Sequence, residues 1–186
     1  MTKIERYNKA ASAPKNKSKE IINIMNIKQG DKILEIGVGG GYYAKIFSEI
    51  VGEKGNYYGI DTDKTFIENL NVIGKSYLNI VGIKIQPNEI PDLQEKIDFV
   101  FTRNVYHHLE NRTDYFRKIS NMMTTKGKII IIDYDESFSL FRFSGHYTKK
   151  ALIIKELKEA GFSVIRDLKL LNKQSFLIFE KNENGV

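Results

Sequence analysis

The sequence predicts an α/β fold built on a mostly parallel sheet with helices on both faces, and three observations carry that expectation. Short apolar runs alternate with stretches of helical period from Ser18 to about Lys181. A glycine cluster, Gly37-Val38-Gly39-Gly40-Gly41, stands between the first apolar run and the next helical stretch. The last two apolar runs lie so close together that no parallel crossover fits between them, so that pair should be antiparallel.

Each element follows from its residues. Ser18 to Ile27 sets Ile21, Ile22 and Met25, with Ile24 beside them, on one helical stripe that Lys28-Gln29-Gly30-Asp31 ends. Lys32 to Ile36 is a short apolar strand. After the glycines, a helix from about Tyr42 to Val51 turns Ala44, Phe47, Ile50 and Val51 inward, and Gly52-Glu53-Lys54-Gly55-Asn56 reverses the chain. Tyr57 to Ile60 is the second strand, Asp63 can cap a helix from Lys64 to about Ile73, and Asn79 to Gln86 is the third strand. The second half repeats the alternation with strand Ile97 to Thr102, helix Thr113 to Met123 and strand Lys128 to Asp133. A loop from Tyr134 to Tyr147, helix Lys149 to Ala160 and strands Phe162 to Leu168 and Ser175 to Glu180 complete it.

The chain has 186 residues, 41% of them hydrophobic, a length and composition that suit one globular domain with its own core. No repeat, low-complexity tract or linker interrupts it, and Pro14, Pro87 and Pro91 sit outside the strongest periodic segments. Residues 1–186 are therefore expected to be a single domain, with a basic arm or lid over 1–17 and a core over 18–181. The absence of cysteine removes disulfides, thiolate metal sites and cysteine nucleophiles together. No secretory-type apolar segment opens the sequence, and the run Ile129 to Ile132 is far too short to span a bilayer. A cytoplasmic protein with no membrane partner is the expectation.

The net charge of +6 is unevenly placed, because Met1 to Lys19 carries Lys3, Arg6, Lys9, Lys15, Lys17 and Lys19 against Glu5 alone. A solvated arm is favoured over a grip on RNA, since only six of the 29 basic residues are Arg, the better phosphate fork.

In an open α/β sheet, ligands sit beyond the carboxyl ends of the strands where the strand order reverses, here between the first and fourth strands. The glycine cluster belongs to that edge. Glycine lets the backbone bend and approach a ligand, and the helix that follows offers free N–H groups. Asp61, after the second strand, is placed to accept the hydroxyls of a ribose. The dinucleotide pattern G-x-G-x-x-G fails from Gly37 because Tyr42 fills its last position, so a nicotinamide oxidoreductase is disfavoured.

The frame that fits is Glu35-x-Gly37-x-Gly39-x-Gly41, which resembles motif I of the class I S-adenosylmethionine-dependent methyltransferases. Tyr58-Gly59-Ile60-Asp61 looks like that family's second-strand motif, and Asp98-Phe99-Val100-Phe101 through Asn104-Val105-Tyr106-His107-His108-Leu109 like its fourth strand and turn. Lys126-Gly127-Lys128 through Asp133 and Glu159-Ala160-Gly161-Phe162 look like its fifth strand and the helix before the last hairpin. The resemblance implies a Rossmann-like three-layer sandwich with a seven-stranded, mostly parallel sheet and an antiparallel last strand. It also implies S-adenosylmethionine as cofactor, with Glu35, Gly37, Gly39 and Gly41 toward its methionine part, Asp61 on the ribose and Asn104 near the methionine end. Many members carry an Asp after the third strand for the adenine amino group, whereas this chain has Gln86, whose carbonyl accepts a hydrogen bond without charge. Glu35 and Asn104 also admit plain structural roles, as caps on nearby backbone groups.

Methyl transfer from a sulfonium needs an in-line acceptor and exclusion of water, with a group to take the acceptor's proton where there is one. His107, His146 and Tyr106 are the candidate catalytic residues, although each also has an ordinary structural role open to it. The neighbouring His107 and His108 point different ways, so at most one is expected to face the cleft. A metal site from His107, His146 and Asp133 is disfavoured, since no spacing or further ligand supports it, and the expectation is no metal. Asn104 is not followed by the Pro-Pro-aromatic run that resembles methylation of nucleobase amino groups. A methyltransferase for a small-molecule acceptor is thus the leading reading, with 1–17 and the loop 134–147 as its lid. The alternative is a methyltransferase-like RNA-binding or scaffold subunit that contacts tRNA through its basic arm.

Overall fold

A computed structural model describes residues 1–135 and 146–182 of the chain. Seven strands follow the order β3-β2-β1-β4-β5-β7-β6, where β1 is Lys32–Ile36, β2 Asn56–Asp61, β3 Ile80–Lys84, β4 Ile97–Arg103, β5 Met123–Tyr134, β6 Phe162–Asp167 and β7 Gln174–Lys181. The helices are α1 Lys3–Ser12, α2 Ser18–Met25, α3 Tyr42–Val51, α4 Lys64–Gly74, α5 Arg112–Met122 and α6 Lys150–Glu159. This is the α/β class expected from the alternation. The chain forms two compact units, Met1–Pro91 and Asp92–Val186.

In the first unit β1 pairs parallel with β2, Glu35 opposite Gly59, and β2 pairs parallel with β3, Asp61 opposite Lys84. α2 buries the expected stripe Ile21, Ile22 and Met25, and Asn26, in the left-handed region with φ 55°, stops it. α3 buries Ala44, Phe47 and Val51 as expected, together with Tyr43 and Ser48. Ser48 lies inside because Asn79 receives its hydroxyl at 2.5 Å, which keeps a buried polar group paired. Asp63 caps α4, its carboxylate accepting from the Thr65 N–H at 2.8 Å.

The basic arm is not an extended tail. Thr2 and Glu5 form a reciprocal capping box, with Glu5 N–H donating to Thr2 Oγ1 at 3.1 Å and Thr2 N–H to Glu5 Oε2 at 2.8 Å, and α1 follows. The Thr-x-x-Glu spacing is a sequence signal for such a start. The helix escapes periodicity reasoning because none of its residues is buried, so no apolar stripe marks it.

In the second unit β4 and β5 are parallel, and β7 runs antiparallel to both β5 and β6. Ile129, Ile130, Ile131 and Ile132 are all fully buried, as a central strand covered on two faces requires. β5 begins earlier than its apolar run suggests. Ile97 faces Met123 and Phe99 faces Lys128, so the intervening Thr124 to Gly127 segment is a register shift inside the strand rather than a separate turn. Residues 136–145 of the expected lid loop lie outside the described residues.

Candidate functional site

The glycine segment leaves the end of β1 and enters α3 through a sequence of left-handed turns. Gly37, Gly39 and Gly41 have φ of 81°, 51° and 80°. Gly41 is the N-cap of α3 with a left-handed backbone that favours glycine, and a Cβ there would stand 2.8 Å from Ile73 Cδ1 of α4, so the tip of that side chain would have to move. Asn69 of α4 donates to the Gly40 carbonyl at 3.0 Å and ties the loop down from one side. From the other side α1 packs on it. A Cβ at Gly39 would meet Tyr7 Cδ1 at 3.1 Å, and one at Gly40 would meet Asn8 Oδ1 at 2.3 Å and the Ile4 carbonyl at 2.8 Å. Tyr7 stands edge-on to Phe66 of α4 with ring centroids 5.0 Å apart, and Lys3 pairs with Asp63.

Two carboxylates lie under this loop. Asp61, at the carboxyl end of β2, accepts from the Gly39 N–H at 3.4 Å through Oδ2 and from the Asp63 N–H at 2.9 Å through Oδ1. Partial burial raises its pKa, and these backbone donors oppose the rise. Each oxygen has acceptor capacity left for a hydroxyl, which fits the sugar of a nucleoside cofactor. Glu35 is 3% exposed and accepts from the Tyr57 hydroxyl at 2.5 Å. Burial pushes its carboxyl up to about 8, with the Tyr57 bond working against burial and Asp61 adding to it. Sequence reasoning singles out Glu35 and Asp61 but misses Tyr57, because the pairing needs the β1–β2 register that brings the two strands side by side.

Gln86 follows β3 exposed, with its backbone N–H bonded to Glu89 Oε2 at 2.6 Å. The preceding Ile85 N–H reaches the Asp61 carbonyl at 3.1 Å, which carries the β2–β3 pairing to that point.

In the second unit, Asn104 leaves β4 in the left-handed region with φ 56°, and its N–H is held by the Ile132 carbonyl at 2.8 Å. Its side-chain oxygen accepts from Gln174 of β7 at 2.5 Å. A 3-10 turn, Tyr106–His108, follows. Tyr106 is fully buried, stacked on Phe116 at 5.6 Å, with its hydroxyl donating to Glu156 Oε2 at 2.7 Å. Burial and that carboxylate hold its hydroxyl well above the ordinary tyrosine value, and Arg112 closes the group through a two-pronged pair with Glu156, both prongs at 2.9 Å. The structure thus separates Tyr106 from the histidines and places it in the α5–α6 packing, where its proton is committed.

The histidines are brought together. His107 is anchored twice by the fully buried Asp133 at the end of β5, through its N–H to Oδ2 at 2.9 Å and its Nδ1 to Oδ1 at 2.8 Å. Asp133 also takes the Tyr134 N–H at 3.0 Å. The ring centroid of His107 lies 4.0 Å from that of His108 and 5.5 Å from that of His146, and His108 and His146 are 5.3 Å apart. Burial and the neighbouring imidazoles lower the pKa of His108. Adjacent residues normally diverge, yet the rings of His107 and His108 lie side by side and share a space with His146.

A family described as a methyltransferase domain matches residues 27–178. A protein-L-isoaspartate O-methyltransferase of Methanococcus aeolicus is 28% identical over 172 residues, covering 89% of this chain and 62% of the relative. A demethylmenaquinone methyltransferase of Bacillus mycoides is 29% identical over 124 residues, covering 62% of this chain and 49% of the relative. The chain thus spans about half to three-fifths of the length of these two relatives. A crystal structure of a SAM-dependent methyltransferase from Aquifex aeolicus superposes with a TM-score of 0.78 at 21% identity, covering 97% of this chain and 98% of that one, which shows the shared fold. With the glycine segment, the acid after β2 and the matched 27–178 span in agreement, the chain belongs to the methyltransferase-domain family.

Proposed function

We propose that the chain is an S-adenosylmethionine-dependent methyltransferase that passes a methyl group to a small-molecule acceptor by direct in-line displacement. The observation that carries the reading is the meeting of the glycine segment with Asp61, through the Gly39 N–H at 3.4 Å, beneath a loop whose Gly37, Gly39 and Gly41 all take left-handed backbone angles. When bound, the cofactor supplies a methyl group on a sulfonium, a leaving group that needs no further activation. Asp61 accepts the ribose hydroxyls, Glu35 and Tyr57 brace β1 against β2 under the loop, and Gln86 meets the adenine. Asn104 serves the methionine end. His107 and His146 face the acceptor's polar group and ease its loss of a proton. α1 acts as a cover for the cofactor, supported by its packing on Gly39 and Gly40.

A small-molecule acceptor is supported by the missing nucleobase-type motif and by a basic arm that is folded as a helix, with Lys3 engaged by Asp63. Calorimetry tests the cofactor half. S-adenosylmethionine and its demethylated product should bind at micromolar strength, and Asp61→Ala should weaken both by about ten- to a hundredfold, the loss expected for hydrogen bonds to a charged group. Unchanged affinity in the variant overturns the assignment of Asp61. Labelled methyl transfer into fractionated cell extract tests the other half: label is expected in small molecules, and label found instead in protein or in tRNA overturns the small-molecule assignment.

A further inference from the structure

We infer that His107, His108 and His146 form a binding site for one divalent transition metal of the zinc class, with a fourth position open to water or to an acceptor oxygen. The ligand nitrogens of the three rings all lie within 4.8 Å of one another. In a tetrahedral site with metal–nitrogen bonds of about 2.0–2.1 Å, the nitrogens stand roughly 3.4 Å apart, so closure of up to about 1.4 Å completes the set. His108 and His146 are both exposed, so their rings can turn to make it, and a cation can reach them from solvent.

The second observation is the support behind the first ligand. A histidine that holds a metal usually gives its other nitrogen to a carboxylate, which fixes the tautomer and raises the basicity of the ligating nitrogen. His107 has this arrangement: Nδ1 is taken by Asp133 at 2.8 Å, and the nitrogen left to ligate is Nε2. The Asp133 side chain is 0% exposed and that of His107 is 5% exposed, so the pair is set rigidly from below. The buried carboxylate also supplies negative charge beneath a site whose three ligands are uncharged when metallated. Three imidazoles with one open position are the donor set of catalytic zinc sites, and imidazole suits zinc, nickel and copper over magnesium or calcium. Spacing along the sequence disfavours such a site for want of a further ligand, and the fold supplies it, because the His108 ring centroid lies 4.0 Å from that of His107.

This inference rests on the reading of the histidines as the acceptor-side group and says how they act. A hydroxyl acceptor bound at the open position loses its proton to solvent more readily because the cation stabilises the alkoxide. That oxygen then forms the bond to the transferred methyl as the sulfonium's carbon–sulfur bond breaks, which leaves a neutral thioether.

Equilibrium titration of the chelator-stripped full chain, with zinc competed against a chromophoric chelator and cobalt followed by its visible absorption, tests the site. One metal per chain is expected, with a cobalt spectrum of four-coordinate intensity. His146→Ala and His108→Ala, at exposed positions, should each weaken binding at least tenfold. Asp133→Asn should weaken it about ten- to a hundredfold, as loss of a carboxylate behind a ligand does elsewhere. Binding of S-adenosylmethionine by the same samples shows that each variant is folded and keeps the two readings apart. Metal binding that is absent, or equal in wild type and His146→Ala, overturns the site while leaving the methyltransferase reading intact.

Discussion

Glu35 shows how one buried carboxyl links burial to pH. Its pKa is pushed up to about 8 from an ordinary 4.5 because solvation is lost. The unfolded chain gives up the proton near the ordinary value, so between the two values the folded chain holds a proton that the unfolded chain lacks. Its contribution to stability is therefore full below about pH 4.5 and is lost as pH rises toward about 8. Denaturant titrations across this range should show stability falling with pH, and Glu35→Gln, which keeps an acceptor for Tyr57, should flatten the slope. A variant with the slope of the wild type places the proton elsewhere. Asp61, by contrast, keeps backbone donors on both oxygens, and its partial exposure leaves it available to a ligand.

Helix α3 depends on the conformation of the residue before it. Gly41 sits at φ 80° and faces Ile73 closely, so Gly41→Ala incurs a left-handed backbone penalty and makes the tip of Ile73 move aside. A loss of about 1–2 kcal/mol is expected from the backbone alone, read as a lower denaturant midpoint. Gly161 has φ 93°, but a Cβ added there would meet nothing within 4 Å, so Gly161→Ala should lose only the backbone part. Equal losses at the two positions would show that the Ile73 contact gives way at no cost. Helix α1 is the reverse case: it has a complete capping box and no buried residue, so its position depends on Lys3, Tyr7 and Asn8 against the loop and α4.

For the protein taken together, a ligand that binds only the folded chain raises its stability by mass action. S-adenosylmethionine at a hundred times its dissociation constant should add about 2.7 kcal/mol, which for a chain of this size is a rise in Tm of roughly 5–10 °C. In Asp61→Ala, with binding about ten- to a hundredfold weaker, the same ligand concentration should add only about 0.4–1.4 kcal/mol. An undiminished rise in that variant places the ligand somewhere other than the glycine segment. Among the described residues no helix is long and apolar enough to cross a membrane.

The alternation of elements, the buried stripes of α2 and α3, the cap at Asp63 and the positions of the glycine segment and Asp61 can all be read along the chain. These are local properties, set by period, turn chemistry and the spacing of a few residues. Folding in three dimensions was needed to establish which side chains meet: Tyr57 with Glu35, Asn104 with Gln174, Tyr106 with Glu156, and Asp133 with His107. Those partners are 22 to 70 residues apart, and strand register and helix packing bring them together. Periodicity cannot report such meetings, because a side chain's hydrogen-bond partner depends on which strand lies beside it. The three histidines make the same point, since two neighbours in sequence share a space with a third from a distant part of the chain.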